Sequence, residues 1–328
     1  MPGCWRKTAI GNREGTRRMN YVILDLEWNQ PVSQDRAIEG LAGEIIQFGA
    51  VKLDGEKRVA DSFEAVVRPC RYTKMNRYVK KLTGIDEKML AGGMPFPQAL
   101  DAFHRWCGED FALLTWGHDD GPLLKENARL HDLPTDWIAA PYNLQVLFNE
   151  QVTGENRQWS LASGLEKLGL APDDAAHDAL HDARSTAQIA ARLDLDKGIA
   201  GYRDATSALL CADVLASAGF RGLADPATAL EGAVGEIPCP VCGQPLERGE
   251  WVEQNGEKRI AMAVCPEHGR FFVRLKLWRT GKTFSARRTL CRPDEQIDAF
   301  YREKALRARQ RAEKRRADGA TGEQAGEN

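Results

Sequence analysis

The chain has 328 residues with 45 Lys or Arg against 47 Asp or Glu, an ordinary globular composition long enough for roughly two domains. No apolar run approaches the roughly 18 residues that span a bilayer, and the N-terminus has no apolar segment of signal-peptide type, so a cytoplasmic protein with no membrane partner is expected. The formal net charge of −2 conceals a local imbalance, because residues 301–317, YREKALRARQRAEKRRA, hold eight Lys or Arg and two Glu.

Residues 1–18 carry Gly and basic residues without periodicity and read as a disordered extension ahead of Met19. The run YVIL (21–24) reads as a buried strand, and it ends in Asp25 and Glu27, two acids on one face. EIIQFGAVKLD (44–54) and SFEAVVRP (62–69) predict two further strands joined through Asp54-Gly55, which makes a three-stranded meander. Phe96, Ala99, Leu100, Phe103 and Trp106 recur at helical spacing, with Gly108 as the stop, and FALLTWG (111–117) is another strand. A helix follows from Gly121 with Pro122 in its first turn; Ser160 is a candidate N-cap for LASGLEKLG; and Ala183, Ala187 and Ala191 mark a closely packing helix over 179–195. Strands followed by mixed strands and helices predict an α/β domain over 19–195, then a helical connector over 196–232. A cysteine module over 233–291 and a basic helical tail over 292–328 with a disordered end complete the expected organisation.

A core strand that ends in paired negative charge needs a compensating cation or proton, since like charges in a poorly hydrated place repel. Asp120 after the strand LLTWG, and His177 and Asp182 within HDALHDA, supply further groups of the same chemistry. Hard divalent ions such as Mg²⁺ and Mn²⁺ take carboxylate oxygens together with water and substrate phosphate. Two such ions about 3.5–4 Å apart can clamp the entering and leaving oxygens of a phosphodiester displacement. A histidine, which titrates near neutrality, is suited to take the proton of the attacking water.

DLE after a buried strand, WGHDDGPLL opening a helix and HDALHDA near the domain end resemble, in that order, the three motifs of the DEDDh 3'-5' exonucleases, which have an RNase H-like fold with a mixed sheet flanked by helices. GEIIQFGAVKLD, YVKKLTGID and WSLASGLEKLGL are similar to the segments between those motifs, and Trp116-Gly117 resembles the branch that holds Eri-type RNA exonucleases and the bacterial KapD group. The resemblance covers about residues 19–195. It implies a two-metal site in which Asp25 bridges both ions, Glu27 and Asp182 hold the first, Asp120 supports the second and His177 is the general base. The acid-x-x-apolar-apolar pattern selects Asp120 over Asp119, and histidine plus five selects His177 with Asp182, leaving Asp178 and His181 as surface residues. Trp28 stands where many relatives have Thr; it either stacks on the terminal base of a substrate or packs against the core. The substrates implied are single-stranded 3' ends, RNA slightly favoured over DNA, with release of 5'-monophosphates. A catalytically quiet binding protein of KapD type is the rival reading, and a structure-specific endonuclease a third.

CPVCG (239–243) and CPEHG (265–269) repeat one shape, and Cys239, Cys242, Cys265 and His268 form a set suited to one structural Zn²⁺. The other cysteines, Cys4, Cys70, Cys107, Cys211 and Cys291, are scattered and read as free thiols. Asn255-Gly256 predicts a hairpin between the knuckles, and the whole resembles a small β zinc ribbon. In RFFVRLKLWR, alternation puts Phe272, Arg274, Lys276 and Trp278 on one face, which suits single-stranded nucleic acid; the other reading is that this face docks on a protein partner.

Overall fold

A computed structural model describes residues 19–323 except 39–40, 139, 156, 172–176, 203, 205–208, 210–211, 226, 229–230, 232–234 and 255–256. The expectation for residues 1–18, the Asn255-Gly256 turn, Cys4 and Cys211 lie outside the described residues. The chain divides into two units, one ending at Tyr202 and one beginning at Arg203.

In the first unit β1 (Asn20–Asn29), β2 (Glu44–Leu53) and β3 (Val59–Arg68) form the expected antiparallel meander. Helices α1 (Arg77–Thr83) and α2 (Glu87–Ala91) lead to a short β4 (Met94–Pro95), α3 (Phe96–Cys107) and β5 (Phe111–Thr115). Then come α4 (Asp120–Leu130), β6 (Tyr142–Asn143), α5 (Leu144–Phe148), α6 (Leu161–Lys167), α7 (Ala179–Ala190) and α8 (Leu195–Ala200). The sheet order is β4-β3-β2-β1-β5-β6, with β5 parallel to β1 and β6 parallel to β5. This is a mixed sheet flanked by helices, the RNase H-like arrangement.

The continuous apolar run of β1 follows from its central place, because a strand covered on both faces has no polar side. Tyr21 and Ile23 enter one core with α5 and α7, while Val22, Leu24 and Leu26 enter another with α3 and α4. The helical spacing of Phe96, Ala99, Leu100 and Phe103 buries all four against the second core, and α3 stops at Gly108 with φ 83°.

The second unit departs from expectation at the connector. Val214–Leu223, within the expected helical connector, is a strand, β7, paired antiparallel with a strand near the end of the module. Ala216, Ala218, Phe220 and Leu223 are the half-buried positions, and two alanines in four hide the strand period behind helix-forming composition. The rest is β8 (Glu247–Arg248), β9 (Val252–Glu253), β10 (Lys258–Cys265), β11 (Gly269–Thr280), β12 (Thr283–Cys291) and helix α9 (Glu295–Glu323). The sheet runs β7-β12-β11-β10-β8, with β9 also on β10. The tail helix reaches further than the basic stretch, through Gly319 and Gly322, each of which costs about 1 kcal/mol without ending a helix. Only 324–328 of the expected disordered end fall outside the described residues. Among the described residues no helix is long and apolar enough to cross a membrane.

Candidate active site

Asp25 and Glu27 stand on β1 opposite Gly49 and Gln47 of β2. A Cβ at Gly49 would fall 2.0 Å from the carbonyl carbon of Ala179, so glycine is what allows the first turn of α7 to rest directly on β2. Gln47 fastens that turn. Its Nε2 donates to Asp178 Oδ2 at 2.8 Å, and its Oε1 accepts from the Ala179 amide at 3.2 Å. Asp178 also accepts from the amides of Leu180 and His181 and so caps α7. Asp178 is therefore no free surface residue, contrary to expectation: its carboxylate holds the helix that carries the site. His181 is half-buried, with Nδ1 3.2 Å from Asp178 Oδ1.

The helix presents Asp182, and the residue before its cap is His177, which has a left-handed φ of 69°. The His177 amide donates to Asp182 Oδ2 at 3.2 Å. Ligand atoms of Glu27, His177 and Asp182 all lie within 4.8 Å of one another. From the other side comes Asp120, 8% exposed, whose Oδ1 accepts the Leu26 amide at 3.1 Å. That amide is available because β5 pairs with β1 only from Asn20 to Ile23. Asp119 caps no amide of α4, although it lines the same cavity.

The electrostatics match a site built around a cation. Burial, with the charges of Asp120, Asp182 and Glu27, raises Asp25 well above the carboxylate range. Burial and the neighbouring Asp182, Asp120 and Asp178 push Glu27 up to about 8. Asp120 is pushed up to about 7 by burial, against the Leu26 amide that holds it down. Asp182 is raised by burial, with the His177 amide and imidazole opposing. Acids that resist ionisation together are a donor set for hard divalent ions.

These residues surround a cavity of ≈ 300 Å³ whose other walls are Trp28, Tyr78, Leu82, Trp116 and Gln30. Trp28 packs half-buried against the α3 core and also faces the cavity. Its ring crosses Gly43, where a Cβ would fall 2.2 Å from Trp28 Cδ1. Tyr78, 69% exposed, and Leu82 come from α1 and escaped sequence reasoning, as did Gln47 and Gly49. YVKKL does carry a signal, an aromatic and a leucine one turn apart behind the Asn76 cap.

In the second unit Cys239, Cys242, Cys265 and His268 place their ligand atoms within 4.8 Å of one another. Cys242 and Cys265 Sγ are 3.8 Å apart, and Cys265 Sγ and His268 Nδ1 3.5 Å. A tetrahedral ion with metal–sulfur bonds of about 2.3 Å requires a sulfur–sulfur edge of about 3.8 Å, so the set fits zinc. Gly243 and Gly269 take φ 76° and 73°, so each knuckle turns through a glycine. A third grouping, Glu44, Cys70 and His131, differs: both Glu44 oxygens accept amides, from Cys70 at 2.5 Å and from Arg71 and Tyr72 at 2.8 and 2.6 Å, and the carboxylate anchors a loop. Phe272 is 1% exposed beneath α9, which corrects its expected place among residues that touch nucleic acid. Arg274, Lys276 and Trp278 do line an open concavity.

The family model described as Exonuclease (RNase_T) matches residues 22–190. A probable 3'-5' exonuclease, KapD of Bacillus subtilis, is 25% identical over 180 residues, covering 54% of this chain and 86% of that protein. Human 3'-5' exoribonuclease 1 is 29% identical over 160 residues, 46% of each chain. A solved structure described as full-length 3'-exonuclease superposes with a TM-score of 0.50 at 25% identity, over 57% of this chain and 64% of that one. The chain thus spans most of the KapD relative but about half the length of the exoribonuclease.

Proposed function

This chain belongs to the exonuclease family and carries the DEDDh arrangement, and from that premise we propose a metal-dependent enzyme that removes nucleotides from the 3' ends of single strands as 5'-monophosphates, RNA slightly preferred to DNA. The observation that carries the reading is the convergence of Glu27, Asp182 and His177 within 4.8 Å beside the half-buried Asp25 and the buried Asp120. The sugar preference is supported by the description of the human relative as an exoribonuclease.

Asp25, Glu27, Asp120 and Asp182 would hold two Mg²⁺ or Mn²⁺ ions, which when bound stabilise negative charge on the entering and leaving oxygens. Asp120 has one oxygen engaged by the Leu26 amide, so it offers the other. His177, at the exposed rim, accepts the proton of the attacking water. The water oxygen becomes bonded to phosphorus, the P–O3' bond breaks, and the departing 3' oxygen takes a proton from solvent. Trp28, Tyr78 and Leu82 give the terminal nucleoside an apolar wall to lie against, which fixes its phosphate near the acids. Cys239, Cys242, Cys265 and His268 would hold one structural zinc.

The test is degradation of 5'-labelled RNA and DNA of matched sequence with Mn²⁺ or Mg²⁺, wild type beside Asp25→Asn. A ladder shortening from the 3' end, at least a thousandfold slower in the variant, is expected. Equal activity in the variant, or cleavage of circular substrates, overturns the proposal.

A further inference from the structure

The sheet of the second unit has two unlike faces. One buries Ala261, Phe271, Val273 and Leu290 against the zinc knuckles. The other, among the described residues, is covered at one end, where Ile297 and Phe300 of α9 pack on Ile260, Met262, Phe272 and Cys291. Past that cover the same face opens into a cavity of ≈ 450 Å³ lined by Arg274, Lys276, Trp278, Arg287 and Thr289.

Register makes this cavity electrostatically one-sided. Lys258, Lys276 and Arg287 stand directly opposite one another across β10, β11 and β12. Like charges in opposed positions destabilise a sheet, and among the described residues no carboxylate forms a salt bridge with Arg274 or Lys276. Next to Arg287 on β7 comes Gly219, where a Cβ would meet nothing, so the cationic row runs into open space. Along β11, Arg274, Lys276 and Trp278 are spaced about 6.8 Å apart, two residues per step, which approximates the reach between successive phosphates of an extended strand. Cations at that spacing, followed by a half-exposed indole, suit a polyanion that also offers flat rings.

We propose that this face is a second nucleic-acid-binding surface, separate in its residues from the active site, which holds single-stranded RNA or DNA through Arg274, Lys276 and Arg287 on phosphates and Trp278 on a base. It rests on the nuclease reading only for the class of polyanion. An acidic protein would satisfy the cations but need not bring a flat ring beside its charge, whereas every nucleotide carries both.

The experiment uses the full chain in an Asp25→Asn background, so that oligonucleotides survive, and measures anisotropy of labelled single-stranded RNA and DNA between 50 and 200 mM salt. Lys276→Glu/Arg287→Glu should weaken binding on the order of tenfold or more at low salt and reduce the slope of log affinity against log salt by about 0.7 for each phosphate no longer neutralised. Trp278→Ala should weaken it on the order of tenfold with the slope unchanged. The neutral pair Lys276→Gln/Arg287→Gln repeats the test if charge reversal disturbs folding, judged by zinc content and thermal midpoint. With Asp25 intact, the same substitutions should leave hydrolysis of a dinucleotide unchanged. Affinity and slope equal to the parent in a folded variant overturn the proposal and leave the face to a protein; wild type that fails to shorten either labelled strand with Mn²⁺ or Mg²⁺ defeats the nuclease reading alone. RNA and DNA arms that fall together point to phosphate and stacking, and a fall confined to one identifies the sugar recognised, either outcome supporting the surface.

Discussion

Four acids that cannot all ionise make the active site a proton store in the absence of metal. Glu27 and Asp120 are raised to about 8 and about 7 in the fold, above ordinary carboxylates near 4, so the folded chain binds more protons than the unfolded one across that interval. The stability these groups contribute is consequently fully present below about pH 4 and is lost as pH rises through 7 to 8. Metal-free protein should therefore show a thermal midpoint that falls from pH 5.5 to 8.5, with Mn²⁺ restoring more at the alkaline end because fewer protons remain to be displaced. Differential scanning fluorimetry with and without metal measures this; a midpoint that rises with pH, or an equal metal effect at both ends, contradicts it. Asp25 and Glu27 were legible in the sequence from local context, whereas Asp120 and Asp182 were selected by resemblance to the spacing of the exonuclease motifs. An acid pair closing an apolar strand is visible without a partner in view.

Elements, by contrast, meet through residues that locally look ordinary. Gly49 reads as a harmless interruption of EIIQFGAVKL, and only the approach of α7 gives it meaning. Since the nearest atoms are main chain, Gly49→Ala cannot be absorbed by a rotamer; it should cost about 1–3 kcal/mol and displace Asp182 and His177 together. Activity should fall on the order of a hundredfold even where urea denaturation shows most molecules folded, a loss typical of ligands moved by about 1 Å. Gln47→Leu, which removes both hydrogen bonds to α7, should lower activity in the same direction with a smaller stability cost. Activity near wild type in either variant would mean that α7 is positioned from elsewhere. The β7 strand teaches the complementary lesson: Ala216, Ala218, Gly219 and Gly222 left little apolar period to read, and its pairing with β12 decided the matter.

The molecule as a whole has two units with different sources of stability. The first has paired cores on either side of a central sheet, while the second closes around four ligand atoms and smaller apolar clusters. A zinc-selective chelator, or Cys239→Ser, should therefore abolish one calorimetric transition and leave the other in place, with dinucleotide hydrolysis retained; structural zinc supplies on the order of 10 kcal/mol, more than a small sheet can replace. A single transition that shifts bodily would show that the units unfold as one. The grouping of Cys239, Cys242, Cys265 and His268 was readable from spacing alone, since a ligand set is a local code. The half-covered face was not, because Phe272 and Arg274 share an alternation that only α9 divides into buried and open.

His177 stands with φ 69°, a conformation that costs a residue with a side chain about 1–2 kcal/mol and glycine almost nothing. Drift toward greater stability would therefore favour replacing it, and the general-base role proposed for it opposes that drift. A lineage freed from the need to cut nucleic acid should lose this histidine early, and its identity at this position becomes a record of whether the chemistry is still under selection.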